Sequence, residues 1–443
     1  MLTILAATLL LRPMHGSMVG AKREDKNGWI FIHLQGSPHD VGYQHATLLG
    51  QELVDAIDAV KIEAREDCGK DWDWFRDTAY SLYWNKLDPE YQQEMQGMAD
   101  GANDKNLPVD LKDILAMNAN IELKDYYLPW LEAHGQLSLI KSKAPFACSA
   151  FVATGSETKD GGVVMGHNLW WDYFVGGRWK ILEDVKPAKG HEFVMDTLPG
   201  FIHSGSDWGQ NDSGILITET TISGFVGYNP NGIPEFQRMR KAIQYSSSLD
   251  DIVKTFETGN NGGYANTWLL ADTKTNEIGK LELGLQHVAY HHTKDGAYYG
   301  ANYPEDPLII QDEASGYDTT VAGNVCELRR QRWGELMAQN KGKVDADLAM
   351  QFLGDTYNTE TKSNDGLGSA LCSKGFPVWG AVNAKVTTTE LAKKMSLWAR
   401  IGVTDGTPEP KEDVISRYHF TGEKARLWPD LPTEPWTVFS CKA

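Results

Sequence analysis

The chain has 443 residues, with 60 acidic against 42 basic side chains and a formal net charge of -18 at pH 7. This charge opposes contact with phosphate backbones and anionic lipid surfaces, so we expect no nucleic-acid partner. Hydrophobic residues at 41% and charged residues at 23% are typical of a folded protein with a sizeable core. The sequence contains no apolar run of twenty residues, so we do not expect stable membrane insertion.

The most apolar segment lies at the start of the chain. Residues 2–11 form a short hydrophobic run, and small residues follow up to Ala21. Its length predicts a signal peptide at residues 1–21, although no basic residue precedes the run, and the alternative is a buried first strand or helix. Export would place the protein in a secreted, periplasmic or lysosomal setting. The sequon at Asn211 adds the expectation of a glycoprotein.

The five cysteines are spread widely, without a CxxC pair or a zinc-ligand spacing, at Cys68, Cys148, Cys326, Cys372 and Cys441. In an oxidising compartment four could pair and one would be left over. Cys148 is the natural candidate to stay free. We expect neither a metal nor another cofactor.

Helical patterns precede the main sheet. A strand is predicted over 29–34, followed by a helix capped by Ser37 or Asp40, and residues 51–139 are mostly helical. Later strands and helices come in blocks, with strands at 193–195, 215–221, 267–271, 278–283, 286–290, 378–386 and 395–403 and helices at 234–242, 248–256, 327–338 and 345–353. The blocks predict an α+β fold, a four-layer αββα sandwich with an α-rich N-terminal segment.

A predicted β-hairpin begins at Cys148. Two β-prone runs, 145–155 and 161–171, flank a polar turn at 156–161 in which Asp160 and Gly161 favour a tight reversal. A lone cysteine is most often a packing residue or half of a disulfide. If the chain were cut just before Cys148, however, this residue would carry both a thiol and a free α-amine.

Several short motifs in order along the chain resemble one family. They are Gly36-Ser37-Pro38, Gly42-Tyr43-Gln44-His45, Cys148-Ser149-Ala150, Gly166-His167-Asn168-Leu169-Trp170-Trp171-Asp172-Tyr173, Glu219-Thr220-Thr221 and Gly262-Gly263-Tyr264-Ala265-Asn266. From about Trp29 onward the chain resembles the phospholipase B-like proteins and, more distantly, the penicillin acyltransferase-like autoproteolytic family. Both are N-terminal nucleophile hydrolases. The resemblance implies cleavage between Ala147 and Cys148, giving a pro-segment (22–147) and a catalytic chain (148–443) that stay associated.

The resemblance also implies roles for individual residues. Cys148 would be the nucleophile, activated by its own α-amine, whose usual pKa of about 7.7 to 8.0 suits a general base. Asn302 resembles the asparagine that binds the oxyanion, and His167 and Asn168 lie where the family orients the nucleophile. The remaining candidates, for contact with the α-amine or substrate, are Asn266, Trp170, Trp171 and Asp172.

One family feature is replaced in this chain. Where the acyltransferases carry a late arginine, this chain offers Lys374, which lacks the planar fork of a guanidinium and is interpreted as an exposed loop lysine.

The resulting hypothesis is an autoproteolytic cysteine hydrolase that cleaves an amide or ester bond to an acyl group. Its substrate would be a small-molecule acyl amide or a lipid. Two alternatives remain open. An acyltransferase would use the same thioester intermediate, and a non-catalytic binding or storage protein would retain only the fold.

Overall fold

The structure is a computed structural model that describes residues 15–136, 148–318, 320–321, 323–374 and 378–441. The strands, numbered in chain order, are β1 (Lys22–Lys26), β2 (Trp29–Gly36), β3 (Ser149–Thr154), β4 (Val164–Asp172), β5 (Ile181–Pro187), β6 (Phe193–Thr197), β7 (Gly209–Asn211), β8 (Ile215–Thr221), β9 (Asn266–Asp272), β10 (Glu277–Leu283), β11 (Val288–Thr293), β12 (Gly296–Gly300), β13 (Trp379–Thr388), β14 (Ser396–Ile401) and β15 (Thr437–Ser440).

The α-helices are α1 (Pro38–Leu49), α2 (Gln51–Cys68), α3 (Trp72–Tyr83), α4 (Pro89–Asp104), α5 (Leu111–Glu122), α6 (Leu128–Ala133), α7 (Tyr173–Gly176), α8 (Glu235–Tyr245), α9 (Leu249–Glu257), α10 (Val325–Gln339), α11 (Ala346–Leu353), α12 (Thr389–Ala392), α13 (Lys411–Tyr418) and α14 (Gly422–Leu427). A π-helical turn at Leu123–Tyr127 joins α5 to α6, and another lies at Ile309–Glu313. Single 3₁₀ turns occupy Trp84–Lys86 and Gly155–Glu157.

The described strands form two sheets. The larger sheet has the order β1-β2-β5-β6-β7-β8-β9-β10-β11, and the smaller has the order β12-β3-β4-β13-β14-β15. The β2–β5 pair is parallel, with Ile30 opposite Ile181, whereas the other pairs are antiparallel. The predicted hairpin is confirmed, since β3 and β4 pair with Ser149 opposite Asn168.

The two sheets stack face to face and carry helices outside. Strands β3 and β4 contact β8 and β9, and apolar side chains such as Val152 and Leu216 fill the space between the sheets. Helices α8 and α9 bury Met239 and Phe256 against the larger sheet. Helices α10 and α11 cover the smaller sheet, where Trp333 meets Phe151. This confirms the predicted α+β sandwich of four layers.

The N-terminal segment is built into the sandwich. Helix α1 begins where the sequence predicts, because the Ser37 hydroxyl accepts from the Asp40 N–H and the Asp40 carboxylate accepts from the Ser37 N–H. Strands β1 and β2 form one edge of the larger sheet, a contribution that the helical patterns did not predict. The Tyr126 hydroxyl accepts from the Ala265 N–H, so the α5–α6 region covers the start of β9. The division of the chain before Cys148 stays a prediction.

The structure bears unequally on the expectations about processing, glycosylation and membrane insertion. Residues 1–14 of the predicted signal peptide lie outside the described residues, as does Ala147. Asn211 is buried, with its amide donating to Ile243 O and Ser246 O at 2.9 Å, so the folded chain does not present this sequon for glycosylation and that expectation is wrong. No helix among the described residues is long and apolar enough to cross a membrane.

The thiols of Cys68, Cys148, Cys326 and Cys372 are free. The pairing expected for an oxidising compartment therefore does not join any of these four cysteines to another.

Candidate active site

Cys148 immediately precedes β3, at the end of the sandwich covered by the N-terminal helices. Its side chain is buried, with 3% exposure of the residue. Alternation along the paired strands places His167, opposite Ala150, on the face between the sheets. Glu219 enters this space from β8 of the larger sheet. The Cys148 Sγ, one His167 ring nitrogen and one Glu219 carboxylate oxygen all lie within 4.8 Å of one another.

Burial holds this cluster in its uncharged forms. Burial, with a smaller effect of Glu219, raises the pKa of the Cys148 thiol well above its usual value. Burial and the nearby Asp207 likewise raise the pKa of Glu219. Burial and the charge of Lys385 lower the pKa of His167 well below its usual value. At neutral pH the site therefore contains a thiol and a neutral imidazole, and burial favours the protonated form of Glu219.

A buried arginine joins the start of the hairpin to Asn302. Arg329 of α10 donates from Nη1 to the Cys148 carbonyl at 2.6 Å, and from Nη2 to Ala301 O at 3.0 Å and Asn302 Oδ1 at 3.1 Å. Its guanidinium carbon lies 4.9 Å from the centre of the Trp170 ring. Five donors in a rigid plane suit this fork of oxygen acceptors.

Asn302 is held rigidly beside this guanidinium. It has a left-handed φ of 66°, which asparagine tolerates better than most residues, and it is fully buried. Its Nδ2 donates to Thr221 O at 2.9 Å, and its second amide hydrogen remains available for another acceptor. The arrangement fits the predicted role of Asn302 as a donor to an oxyanion.

A buried lysine lies close enough to the thiol cluster to act on all three of its groups. Lys385 Nζ on β13 lies 2.9 Å from Asp196 Oδ2 and donates to Asn383 Oδ1 at 2.9 Å. Burial lowers the pKa of this amine, and Asp196 opposes that effect. Its charge favours the ionised forms of both Cys148 and Glu219.

Asn266 lies at the start of β9, opposite Thr221 of β8. Its Nδ2 donates to Asp207 Oδ2 at 3.0 Å, and Asp207 is the acidic group that raises the pKa of Glu219. The structure brings Cys148 and His167 together, and Arg329 joins Cys148 to Asn302, while the catalytic roles of these residues and of Asn266 stay predictions.

Two predicted site residues face elsewhere. Asn168 donates to Leu353 O at 2.7 Å and to Leu371 O at 3.1 Å, on the face toward the outer helices. It cannot orient the thiol directly, because successive side chains of β4 point to opposite faces. Asp172 Oδ1 accepts from the N–H groups of Phe174 and Val175 and caps α7, so its placement does not support a substrate contact.

The tryptophans and Lys374 occupy structural positions. Trp170 packs with Cys372 under Arg329, on the face away from the thiol cluster. Trp171 is buried 5.1 Å from the Trp179 ring. Lys374 lies in a loop, as predicted, but its side chain is only 20% exposed because it forms an ion pair with a glutamate of the loop before α13.

The sequence did not single out Glu219, Arg329 or Lys385 for these positions. Each lies in an element that has an ordinary amphipathic or β-prone pattern, and each reaches the site only through tertiary packing. The one available signal was the Glu219-Thr220-Thr221 motif, which marked β8 without assigning the carboxylate a role.

Two groups of buried side chains among the described residues have the geometry to hold a metal ion. One is the thiol cluster itself, and the other comprises His203, Asp207 and Glu235. Thiol, imidazole and carboxylate are all zinc ligands when deprotonated.

The sequence model of the Phospholipase B family matches residues 58–325, more than half of the chain. The chain belongs to this family, which is named for a hydrolase, and the predicted resemblance is confirmed.

Two relatives extend this result. An uncharacterised protein of Archaeoglobus fulgidus is 28% identical over 301 residues, covering 63% of this chain and 46% of that protein. A phospholipase B of Crotalus adamanteus is 24% identical over 320 residues, covering 64% of this chain and 56% of that protein. The chain therefore spans about half the length of the curated relatives it matches.

Solved structures give weaker similarity. A mutant conjugated bile acid hydrolase from Clostridium perfringens aligns with 57% of this chain and 89% of its own, at 11% identity and a TM-score of 0.34. A second variant of that enzyme aligns with the same TM-score of 0.34 at 12% identity. These scores are too low to establish a shared fold.

Proposed function

We propose that this protein is a hydrolase whose Cys148 thiol attacks an amide or ester bond to an acyl group, after self-cleavage before Cys148. The observation that carries the proposal is the position of Cys148. It opens a buried hairpin, with its sulfur beside a neutral imidazole and its carbonyl and Asn302 held by one guanidinium. Membership of the Phospholipase B family supports an acyl-ester or acyl-amide substrate.

In the proposed maturation the thiol adds to the Ala147 carbonyl carbon. His167 serves as the base, because the nitrogen of Cys148 is still an amide at this stage. The C–N bond then breaks, the proton passes to the departing amine, and a thioester to sulfur remains. Water hydrolyses this thioester, which gives a carboxyl group on Ala147 and regenerates the thiol.

In each later turnover the newly formed α-amine of Cys148 would take the thiol proton and pass it to the leaving amine or alcohol of the substrate. The second amide hydrogen of Asn302 would donate to the oxyanion. Water then resolves the acyl-enzyme.

The test compares the intact mass and N-terminal sequences of the wild type with those of Cys148→Ala. We expect the exported wild type to show two N-termini, one near residue 22 and one at Cys148, whereas Cys148→Ala remains a single chain. Cys68→Ala, which removes a half-buried thiol elsewhere, should cleave normally. A wild-type chain that stays whole after prolonged incubation, or cleavage of Cys148→Ala, would contradict the proposal.

Activity is tested on the cleaved protein with a panel of N-acyl amides and phospholipids. We expect release of the free acid by the wild type and Cys68→Ala but not by Cys148→Ala. Adding a primary amine distinguishes transfer from hydrolysis, since an acyltransferase would form the new amide in place of the acid. Turnover that survives in Cys148→Ala would remove this thiol from the mechanism.

A further inference from the structure

A second cluster of buried polar groups lies behind the thiol cluster. His203 belongs to the loop after β6, Asp207 to the end of the same loop, and Glu235 to the first turn of α8. One ring nitrogen of His203 and one carboxylate oxygen from each acidic residue lie within 4.8 Å of one another, and His203 Nδ1 is 4.0 Å from Glu235 Oε2. All three residues are at most 2% exposed.

This cluster has polar atoms that nothing in the described part of the chain satisfies. Neither ring nitrogen of His203 has a hydrogen-bond partner there, and the same holds for Asp207 Oδ1 and Glu235 Oε1. Buried polar atoms are ordinarily paired, and an orphaned group points to a missing proton, water or ion. The carboxyl groups of Asp207 and Glu235 can share one proton, whereas the two unpaired ring nitrogens of His203 beside them point to a missing ligand.

The surrounding structure fixes these side chains in position. The His203 ring stacks 4.7 Å from the Phe201 ring, and its carbonyl accepts from Thr197 Oγ1 at 2.7 Å. Asn266 holds the other oxygen of Asp207. The N–H of Glu235 donates to a Glu122 oxygen at 2.7 Å, which anchors the start of α8.

Several acidic side chains lie close together at this cluster. Three buried carboxylates, Glu122, Asp207 and Glu235, surround a single guanidinium, that of Arg238. If all three were ionised, one arginine would leave two negative charges, which a divalent cation would balance. The nearby Arg240 is paired with Glu94 through both carboxylate oxygens.

We propose that His203, Asp207 and Glu235 bind a divalent transition-metal ion of the zinc type. One imidazole and two carboxylates suit Zn²⁺, Mn²⁺ or Fe²⁺, whereas Ca²⁺ and Mg²⁺ favour sites built from oxygen alone. Zinc ligand bonds of about 2.0–2.2 Å place ligand atoms closer together than the observed separations of up to 4.8 Å, so the three side chains would converge on the ion. The ion would tie the loop after β6 to α8 and neutralise the carboxylates.

The site is tested on the full-length Cys148→Ala protein, which lacks the competing thiol. After loading with Co²⁺ and dialysis, we expect about one equivalent of bound metal, visible absorption bands and no thiolate charge-transfer band. Zn²⁺ should displace the Co²⁺ and raise the melting temperature.

Three further substitutions locate the ion. Glu235→Gln keeps the size of the side chain and should lower the affinity by about tenfold or more. His203→Phe, which keeps the ring stack on Phe201, should do the same if Glu235→Gln proves unstable. His191→Gln, at a partly exposed histidine outside the cluster, should bind as Cys148→Ala does.

Two results would overturn the proposal. One is that Cys148→Ala retains no metal, even if the wild type binds metal through its thiol cluster. The other is unchanged binding in folded Glu235→Gln and His203→Phe. Because the measurement does not depend on catalysis, its failure is separate from failure of the proposed hydrolase function.

Discussion

Arg329 shows how one side chain can organise a site assembled from distant parts of the chain. Its two terminal nitrogens reach the Cys148 carbonyl and the Asn302 side chain. A lysine at this position would supply one compact ammonium and could not span both acceptors in the same plane. We therefore assign Arg329 a role in positioning the Cys148 carbonyl and the Asn302 side chain.

We expect Arg329→Lys to slow self-cleavage by roughly tenfold to a hundredfold, because a charge-assisted hydrogen bond contributes about 1.5–3 kcal/mol. Time courses of intact mass would measure the rate. Arg330→Lys, one position further along α10 and partly exposed, should cleave as the wild type does. Equal rates for the two variants, with both folded, would refute the role of Arg329.

The sequence predicted the site residues that belong to local motifs. Cys148 and His167 are fixed relative to each other by one hairpin, so β alternation and pairing suffice to bring them together. The same alternation separates Asn168 from the thiol, although Asn168 directly follows His167 in the sequence. Arg329 and Lys385 could not be predicted, since nothing local relates α10 and β13 to Cys148.

Helices α1 and α4 pack unusually closely through glycines. A Cβ on Gly97 would lie 2.1 Å from His39 O, and a Cβ on Gly42 would lie 1.8 Å from Glu94 O. Backbone carbonyls cannot rotate away as a flexible side chain can. The helices would have to separate to admit a methyl group.

We expect Gly97→Ala to destabilise the protein by about 1–3 kcal/mol, the usual range for overpacking. Gly334→Ala is the matched control in α10, where the nearest atom to an added Cβ is the Tyr299 hydroxyl at 3.4 Å. Because alanine favours the helix interior over glycine, Gly334→Ala should be neutral or should stabilise the protein by up to about 1 kcal/mol. Urea unfolding in the Cys148→Ala background would measure both, and equal stabilities would contradict the packing argument.

The π-helical turn between α5 and α6 contains a buried titratable residue, Asp125. Burial, partly offset by Lys124, raises the pKa of Asp125 from its usual 3.8 to about 7. The folded state therefore binds a proton that the unfolded chain has already lost. The stabilising contribution is complete below pH 3.8 and is lost as the pH rises to about 7.

We expect Asp125→Asn to flatten the decline in unfolding free energy between these pH values, where one such group can contribute at most about 1.4 kcal/mol per pH unit. Urea unfolding at a series of pH values, again in the Cys148→Ala background, provides the measurement. Parallel curves for the two proteins would show that Asp125 titrates alike when folded and unfolded.

Element types were largely predictable, but the contribution of residues 22–36 to the sheet was not. Residues 22–26 read Lys-Arg-Glu-Asp-Lys, a charged run with no strand signal of its own, and they form β1 only as an exposed edge against β2. For β2 the strand was evident from its apolar run. The parallel pairing of β2 with β5 could not be predicted, because it joins distant segments that no local pattern relates.

At the scale of the whole molecule, the segment before Cys148 and the chain after it share one core. Leu53 and Ile114, from α2 and α5, lie in the same buried cluster as Trp171 and Phe201. Strand β2 also shares a hydrogen-bonded ladder with β5. The predicted fragments, 22–147 and 148–443, would therefore be separated only by unfolding.

We expect the cleaved protein to elute as one species in native size-exclusion chromatography, with both fragments present in the peak. In denaturing conditions they should separate. The uncleaved Cys148→Ala protein, with the same core, should share the native elution volume. Fragments that separate without denaturant would contradict a shared core.

The parallel pairing of β2 with β5 also bears on the order of events after synthesis. The two strands lie roughly 150 residues apart, and while the chain is continuous that connection keeps them at a high effective concentration. Cutting the chain before Cys148 would remove the tether while leaving the ladder intact. The cleaved protein could then persist for a long time yet fail to refold once opened, so its lifetime would be governed by the rate of unfolding rather than by an equilibrium.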